Sequence, residues 1–142
     1  MIAGKGPEQS SLRQLTAQLG VSDRVNFAGM LDAEALREQY RAADALILMS
    51  EREGMPNVIL ESLACGTPVL ATPVGGIPEL LTESCCGETV SARTVEGLAD
   101  AWREISNHGV DRDRIRQSAM RFSWHDTIAE LHALMRDKAL KN

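Results

Sequence analysis

The amino-acid sequence predicts an α/β fold, a parallel sheet with helices on both of its faces. Short apolar segments alternate along the chain with amphipathic segments in which leucines recur at helical spacing. The apolar segments are continuous runs, which is typical of strands buried on both faces of a parallel sheet. Strands that alternate with helices favour parallel βαβ units over an antiparallel arrangement.

Strands are predicted at the apolar segments, which are residues 1–4, 25–28, 45–49, 69–72 and 88–90. The segment 45–49 reads Ala-Leu-Ile-Leu-Met and has no polar position, so we expect both of its faces to be buried. Gly29 ends the second strand, and residues 73–76 form a turn after the fourth. Because ligands of such sheets bind at the carboxyl ends of the strands, we expect a site in the loops at that edge.

Helices are predicted at the amphipathic segments, which are residues 8–19, 33–42, 57–65, 77–81, 95–106, 111–120 and 124–138. Asp32 is a favoured N-cap residue for the second helix, and Pro56 suits the first turn of the third. The large side chains of Trp102, Phe122 and Trp124 are expected to anchor the last helices by packing.

Length and composition fit one globular domain of 142 residues, in which 44% of the residues are apolar and 25% are charged. The net charge of −5 argues against nucleic-acid binding, which needs clustered Lys and Arg. No apolar run approaches the ~20 residues that span a bilayer, and no signal-peptide pattern opens the chain. The three cysteines, two of them adjacent, argue against a disulfide framework and indicate a cytoplasmic location.

The most informative segment follows the strand at 45–49, where a loop leads into the helix at 57–65. It reads Glu51-Arg52-Glu53-Gly54-Met55-Pro56-Asn57-Val58-Ile59-Leu60-Glu61. Free backbone N–H groups at the start of that helix suit an anion such as a diphosphate. Gly54 lacks a side chain where a ligand would approach the backbone. This segment therefore predicts an anion site at a helix N-terminus.

The two carboxylates of this segment, Glu53 and Glu61, favour a different partner. An ionised carboxylate only accepts hydrogen bonds, so it favours hydroxyl donors, and sugars and ribose offer these in adjacent pairs with charge-assisted bonds. A ligand that places phosphates at the helix end and donates hydroxyls to both carboxylates fits the description of a nucleoside diphosphate sugar. The alternative is that both side chains are merely solvent-exposed, as is usual for an arbitrary pair of glutamates.

Glu53 and Glu61 form a Glu-x7-Glu motif, and the surrounding sequence resembles the C-terminal domain of retaining GT-B glycosyltransferases of family 4, also called group 1. The resemblance covers roughly residues 1–105. It extends to Ala3-Gly4-Lys5-Gly6-Pro7, Arg24-Val25-Asn26-Phe27-Ala28-Gly29, Tyr40-Arg41-Ala42-Ala43-Asp44, Gly75-Gly76-Ile77-Pro78-Glu79 and Cys86-Gly87-Glu88-Thr89. It implies a Rossmann-like sheet, with residues 1–142 as a single partial domain whose C-terminal helices begin near residue 95.

The resemblance also implies a role for each matching residue. Glu53 matches the catalytic glutamate that contacts hydroxyls of the donor sugar, and Glu61 matches the residue that holds the ribose hydroxyls. The other donor-binding residues that it implies are Gly54, Met55, Asn57 and Val58 for sugar and diphosphate, and Gly29, Met30 and Leu31 for the base pocket. Gly75 and Gly76 are predicted to form a tight turn before a helix, since glycine is commonest in turns.

By the same resemblance, the intact protein is an enzyme that transfers a sugar from a nucleoside diphosphate sugar to an acceptor hydroxyl with retention. No metal and no cofactor beyond the donor substrate are implied. The family's acceptor-binding N-terminal domain has no counterpart in this sequence, nor does the Arg and Lys pair that neutralises the diphosphate. We therefore expect this chain alone to be inactive.

Two alternatives stay open. In the first, the chain is a non-catalytic, truncated or remnant domain that associates with itself or a partner. In the second, it is a nucleotide-sugar epimerase of related fold, which the segment 53–58 disfavours.

The family's first strand and helix are also missing, and in the strand order 3-2-1-4-5-6 that strand is central. We expect the chain to close this gap or to self-associate through a sheet edge, since unpaired edges invite association. The full-length protein is expected at the inner face of the membrane.

The Asp-x-Asp pattern of Asp111 and Asp113 is used for metal binding in another glycosyltransferase fold. Here it opens a predicted helix, where Asp is a favoured cap, so we predict a cap. His108, His125 and His132 lack metal-ligand spacing with any Cys or carboxylate. The sequence therefore predicts no metal site.

Overall fold

Strands and helices alternate in the predicted order in the computed structural model, which describes residues 1–139. The paired strands are parallel, and helices lie on both faces of the larger sheet, so the fold is the predicted α/β type. The chain divides into two compact units, Met1–Gln39 and Tyr40–Asn142.

The first unit contains a two-stranded parallel sheet. Strand β1 (Ile2–Ala3) pairs with β2 (Phe27–Gly29), and helix α1 (Gln9–Gln18) lies between them in the chain. The guanidinium carbon of Arg13 on α1 lies 4.4 Å from the ring centroid of Phe27, a cation–π contact between the helix and the sheet.

Helix α2 (Ala33–Ala42) has the predicted bounds and begins in the first unit. The backbone N–H of Ala35 donates to Oδ1 of Asp32 over 2.8 Å, which confirms the predicted N-cap. The last turn of α2 belongs to the second unit, where the Tyr40 side chain is buried.

The second unit contains a three-stranded parallel sheet in the order β3-β4-β5. Its strands are β3 (Leu46–Leu48), β4 (Val69–Ala71) and β5 (Gly87–Thr89). Both sheet orders agree with the order 3-2-1-4-5-6 without strand 1. The expectation that the chain closes the gap left by strand 1, or self-associates through a sheet edge, stays a prediction.

The helices of the second unit are α3 (Asn57–Ala64), α4 (Ile77–Leu80), α5 (Val95–His108), α6 (Arg112–Ala119) and α7 (Trp124–Ala139). Helices α3, α4 and α6 pack on one face of its sheet and α5 on the other. Alternate residues of β4 separate two apolar clusters, as the two-residue period of a strand requires. Val69 and Ala71 lie in the cluster that contains residues of α3, α4 and α6. Leu70 lies in the cluster formed with α5.

The prediction that β3 is buried on both faces is wrong for its central residue. Leu46 and Leu48 pack against the first cluster, but the Ile47 side chain is 52% exposed. Side chains alternate along a strand, so Ile47 lies on the α5 face of the sheet. Helix α5 contacts β4 and β5, whereas β3 is an edge strand, which is why Ile47 is left exposed. An apolar run alone does not reveal whether a neighbouring element covers each of its residues.

The expected aromatic anchors have different outcomes. Phe122 packs against the first apolar cluster. Trp102 is 42% exposed and does not anchor α5, which packs through the smaller Ala101 and Ile105. The side chain of Trp124 lies outside the described part of the structure.

Asp111 is the N-cap of α6, since its side chain accepts a hydrogen bond from the backbone N–H of Arg114 over 3.1 Å. Within residues 1–139, no cluster of His, Cys, Asp or Glu has the arrangement of a metal site. No helix in the same residues combines the length and apolar character needed to cross a membrane.

Candidate functional site

The loop that carries Glu53 leaves the carboxyl end of β3 and is joined there to the end of β4. The Ser50 hydroxyl donates to Oε1 of Glu53 over 2.6 Å. The carbonyl of Ser50 in turn accepts from the Thr72 hydroxyl over 2.6 Å, and the N–H of Thr72 donates to the carbonyl of Leu48. Glu53 is half-buried, and the hydrogen bond from Ser50 orients its carboxylate where only part of the residue is in water.

Two adjacent glycines, Gly75 and Gly76, pack against the backbone of the same loop. The N–H of Gly76 donates to the carbonyl of Gly54 over 2.7 Å. Gly75 has a positive φ of 57°, and a Cβ there would lie 2.0 Å from the carbonyl oxygen of Glu53. No other residue type fits in that space or adopts that conformation easily. The predicted turn is present, and its glycines have a further role as a close-fitting support for the Glu53 loop.

Helix α3 begins directly after this loop, and its N-terminus is open. Pro56 is the N-cap and provides no side-chain capping bond, while its carbonyl accepts from the N–H of Ile59. The N–H groups of Asn57 and Val58 lie in the first turn, where no intrahelical acceptor exists. Pro56 is buried but Asn57 is exposed, so the first residue of the helix is not covered by the core of the second unit. The positive end of the helix dipole thus faces a region that an anion can reach.

Glu61 lies about one turn into α3 and is exposed. Its Oε2 accepts a hydrogen bond from the Tyr40 hydroxyl over 3.2 Å. Burial of the ring, and then the negative charge of Glu61, raise the pKa of Tyr40 far above its ordinary value. The phenol is therefore a neutral donor toward the carboxylate, which keeps its other lone pairs free.

The predicted site residues fall into two groups. Around the start of α3 the second unit contains Glu53, Gly54, Met55, Asn57, Val58 and Glu61. Gly54 and Met55 are exposed, and Val58 is half-buried. Gly29, Met30 and Leu31 belong to the first unit, where β2 ends at Gly29, and their place in a base pocket stays a prediction.

Tyr40, Ser50 and Thr72 support the site, although no motif in the sequence predicted a site role for them. One signal for Tyr40 was available, because it is the chain's single tyrosine and comes just before a strongly apolar run. A buried phenol needs a hydrogen-bond partner, and a nearby glutamate is a natural one. Ser50 and Thr72 are common polar residues at strand ends and gave no comparable signal.

A sequence comparison agrees with this architecture. Residues 1–122 match the family described as glycosyl transferases group 1. The chain belongs to this family, and its fold is that of the C-terminal domain of GT-B glycosyltransferases.

Two curated glycosyltransferase relatives are similar to most of this chain. The chain is 36% identical over 136 residues to D-inositol 3-phosphate glycosyltransferase of Acidothermus cellulolyticus, a match that covers 94% of this chain and 30% of that protein. It is 38% identical over 100 residues to N-acetyl-alpha-D-glucosaminyl L-malate synthase of Bacillus anthracis, covering 70% of this chain and 26% of that protein. The chain thus spans less than a third of the length of these curated relatives.

A solved structure has the same fold. Sucrose-phosphate synthase from Thermosynechococcus elongatus superposes with a TM-score of 0.81 at 26% identity. The superposition covers 98% of this chain and 38% of that one. The chain therefore corresponds to one part of a larger glycosyltransferase architecture.

Proposed function

We propose that this chain is the donor-binding domain of a retaining family 4 glycosyltransferase. The whole protein would transfer a sugar from a nucleoside diphosphate sugar to an acceptor hydroxyl. The single observation that carries this proposal is the uncapped N-terminus of α3, which lies in the sequence between Glu53 and Glu61, two glutamates that each have their own hydrogen-bond partner. Such a site offers donors to phosphates and acceptors to sugar hydroxyls at the same time.

In this proposal the backbone N–H groups at Gly54, Met55, Asn57 and Val58 meet the sugar and the diphosphate. Glu53 is the catalytic residue and accepts from hydroxyls of the donor sugar, while Glu61 accepts from the ribose. The positive helix end stabilises the charge that develops on the diphosphate as it leaves. No metal or cofactor takes part in the proposed reaction.

The base pocket is proposed at Gly29, Met30 and Leu31. Its support is that these residues follow β2, since ligands of parallel sheets bind at the carboxyl ends of the strands. Met30 is 68% exposed, so its side chain is available to a planar base.

Acceptor binding would be supplied by the part of the protein that this chain does not span, so we propose that the chain alone does not turn over substrate. The chain covers 30% and 26% of the length of two curated relatives, which supports the proposal that acceptor binding lies elsewhere in the protein. We place the full-length protein in the cytoplasm, at the inner face of the membrane, where the free thiols of Cys65, Cys85 and Cys86 would stay reduced.

Calorimetry of nucleoside diphosphate binding tests the proposal. UDP, GDP and ADP are titrated in turn into the chain, and at least one should bind weakly. Glu61→Ala should weaken that binding about tenfold, because a charge-assisted hydrogen bond to the ribose is lost. Glu130→Ala removes an exposed helical carboxylate on α7 and is the matched control. Equal affinities of the wild type and Glu61→Ala would remove Glu61 from the site.

The role of Glu53 is tested in the full-length protein. Glu53→Ala should lower the rate of sugar transfer far more than it lowers the melting temperature, since the residue contacts the donor. A variant that melts early but keeps its specific activity would show that Glu53 is a structural residue.

The alternative of a non-catalytic domain that self-associates has its own support. Ile47 is a half-exposed apolar side chain on an edge strand, and such edges favour association with another strand. A second copy of the chain would meet at this edge, and Ile47→Lys should then reduce the dimer fraction measured by sedimentation velocity. A wild-type chain that sediments as a monomer at every concentration would count against it.

A further inference from the structure

Tyr40 is a buried residue whose hydroxyl donates a hydrogen bond to the carboxylate of an exposed residue, Glu61. Its side chain is only 7% exposed, whereas Glu61, which accepts its hydroxyl hydrogen bond at 3.2 Å, is exposed. The two residues are far apart in the sequence, one at the end of α2 and the other in α3. A glutamate on an exposed helix face would otherwise sample several side-chain rotamers.

The backbone around Tyr40 is itself fixed by a buried hydroxyl. The carbonyl of Tyr40 accepts from the Thr67 hydroxyl over 2.5 Å, and Thr67 is fully buried. The carbonyl of Thr67 accepts from the hydroxyl of Ser62, which lies on the same helix as Glu61. Thr67 therefore connects the end of α2 with α3, and the ring of Tyr40 has little freedom to move away from Glu61.

An arginine on α6 completes this arrangement. The Arg112 guanidinium donates to the carbonyls of Arg41 and Ala43 over 3.1 Å and 2.7 Å, and to the Thr67 hydroxyl over 3.3 Å. The last carbonyls of a helix have no partner within it, so Arg112 satisfies groups at the end of α2. The hydrogen-bonded chain from Arg112 through Thr67 and Tyr40 ends at the carboxylate of Glu61.

We propose that Tyr40 is a positioning residue, whose hydroxyl fixes the carboxylate of Glu61 in the orientation that receives the ribose hydroxyls. This inference rests on the proposed function. Ionised carboxylate oxygens offer about four acceptor sites, and the phenol occupies one of them. Glu61 is an exposed residue, and the remaining acceptor sites are sufficient in number for an adjacent pair of hydroxyls. Because Tyr40 is buried, it acts through Glu61 and not by touching the nucleotide.

The test compares Tyr40→Phe with the wild type by calorimetry, using whichever of UDP, GDP and ADP binds the wild type most tightly. The variant keeps the buried ring and lacks only the hydroxyl. We expect its affinity to fall about fivefold, as for the loss of one hydrogen bond to a charged group. The 2′,3′-dideoxy analogue of the same nucleotide has no ribose hydroxyls, and its affinity should be the same for both proteins. In a Glu61→Ala background, Tyr40→Phe should cause no additional loss.

The outcomes separate the inference from the proposed function. If Glu61→Ala weakens binding but Tyr40→Phe does not, the positioning role is overturned and the proposed function stands. If Tyr40→Phe weakens the dideoxy analogue equally, Tyr40 supports the fold only, which also overturns the inference. If no nucleotide binds the wild type, or Glu61→Ala has no effect, the proposed ribose contact fails and the inference fails with it.

A second measurement remains decisive even if Tyr40→Phe does not fold. Tyr40 is the chain's single tyrosine, so ultraviolet difference spectroscopy follows its ionisation alone. In Glu61→Gln the phenol should ionise at a lower pH than in the wild type, because the neighbouring negative charge is gone. An unchanged titration would show that the hydrogen bond to Glu61 does not form, and would overturn the inference.

Discussion

Glu53 and Glu61 lie on opposite sides of the α3 N-terminus in the sequence, yet the protein holds them by different means. Glu53 is on a loop whose backbone fits tightly against Gly75 and Gly76. Glu61 is on a regular helix, and one phenol hydroxyl from the interior holds its carboxylate. A close backbone fit tolerates no added atom, whereas a side-chain hydrogen bond can be lost with little change elsewhere. The loop should therefore be much more sensitive to substitution than the helix.

The largest effect is expected for Gly75→Ala. A Cβ at this position would lie 2.0 Å from the Glu53 carbonyl oxygen, and φ is positive. Overpacking and backbone strain together should lower the free energy of unfolding by about 3 kcal/mol. Urea unfolding measures this change. Gly6→Ala is the control, because open space surrounds that glycine. Equal stabilities of the two variants would show that the loop moves aside easily.

A smaller loss is expected when the support of the Tyr40 backbone is removed. Arg112→Met keeps the apolar stem but removes the three hydrogen bonds to Arg41, Ala43 and Thr67. We expect the free energy of unfolding to fall by about 2 kcal/mol. Arg103→Met is the matched control, since Arg103 is an exposed partner of Asp100 on one helix. A similar loss in both variants would indicate that Arg112 stabilises only through its charge.

Removing the side-chain support of Glu53 should affect binding more than folding. Ser50→Ala removes the hydroxyl that donates to Oε1 of Glu53 over 2.6 Å. The sugar affinity of the full-length protein should fall about fivefold, and the free energy of unfolding by less than about 1 kcal/mol. Competition between the nucleotide sugar and the nucleoside diphosphate isolates the sugar contact. An unchanged affinity for the sugar would mean that Glu53 needs no orientation by Ser50.

The smallest effect concerns alkaline pH. Burial, followed by the charge of Glu61, raises the pKa of folded Tyr40 above its ordinary value of 10.0. The folded state then binds more protons than the unfolded state above pH 10, so the stability that the protonated phenol contributes is lost as the pH rises further. The Tyr40→Phe chain should lose less stability than the wild type above pH 10. Parallel stability curves in that range would contradict a protonated, buried phenol.

Local signals in the sequence were sufficient for most of the fold. Helix α2 has the predicted bounds, and Asp32 and Asp111 cap their helices as expected, because capping depends on residues only three apart. The exposure of Ile47 could not be predicted in this way, since it depends on which strand or helix lies beside β3. The same limit applied to Trp102, whose size suggested burial.

The site was predictable where the chemistry lies in one segment and not where distant segments meet. The helix end and the glutamates of residues 53–61 could be found from their own sequence. The contacts of Gly75 with Glu53, and of Tyr40 with Glu61, join residues that are about twenty apart in the chain. Only the folded structure brings them together, because no local propensity encodes such a pairing.

The most direct test of the central claim is a nuclear magnetic resonance titration of the isotope-labelled chain with a nucleoside diphosphate. If the open end of α3 binds the diphosphate, the backbone amide signals of Gly54, Met55, Asn57 and Val58 should shift most strongly and saturate together. Inorganic pyrophosphate should shift the same amides without affecting the Tyr40 hydroxyl contact with Glu61. Shifts confined to other parts of the chain, with these amides unchanged at saturation, would contradict the account.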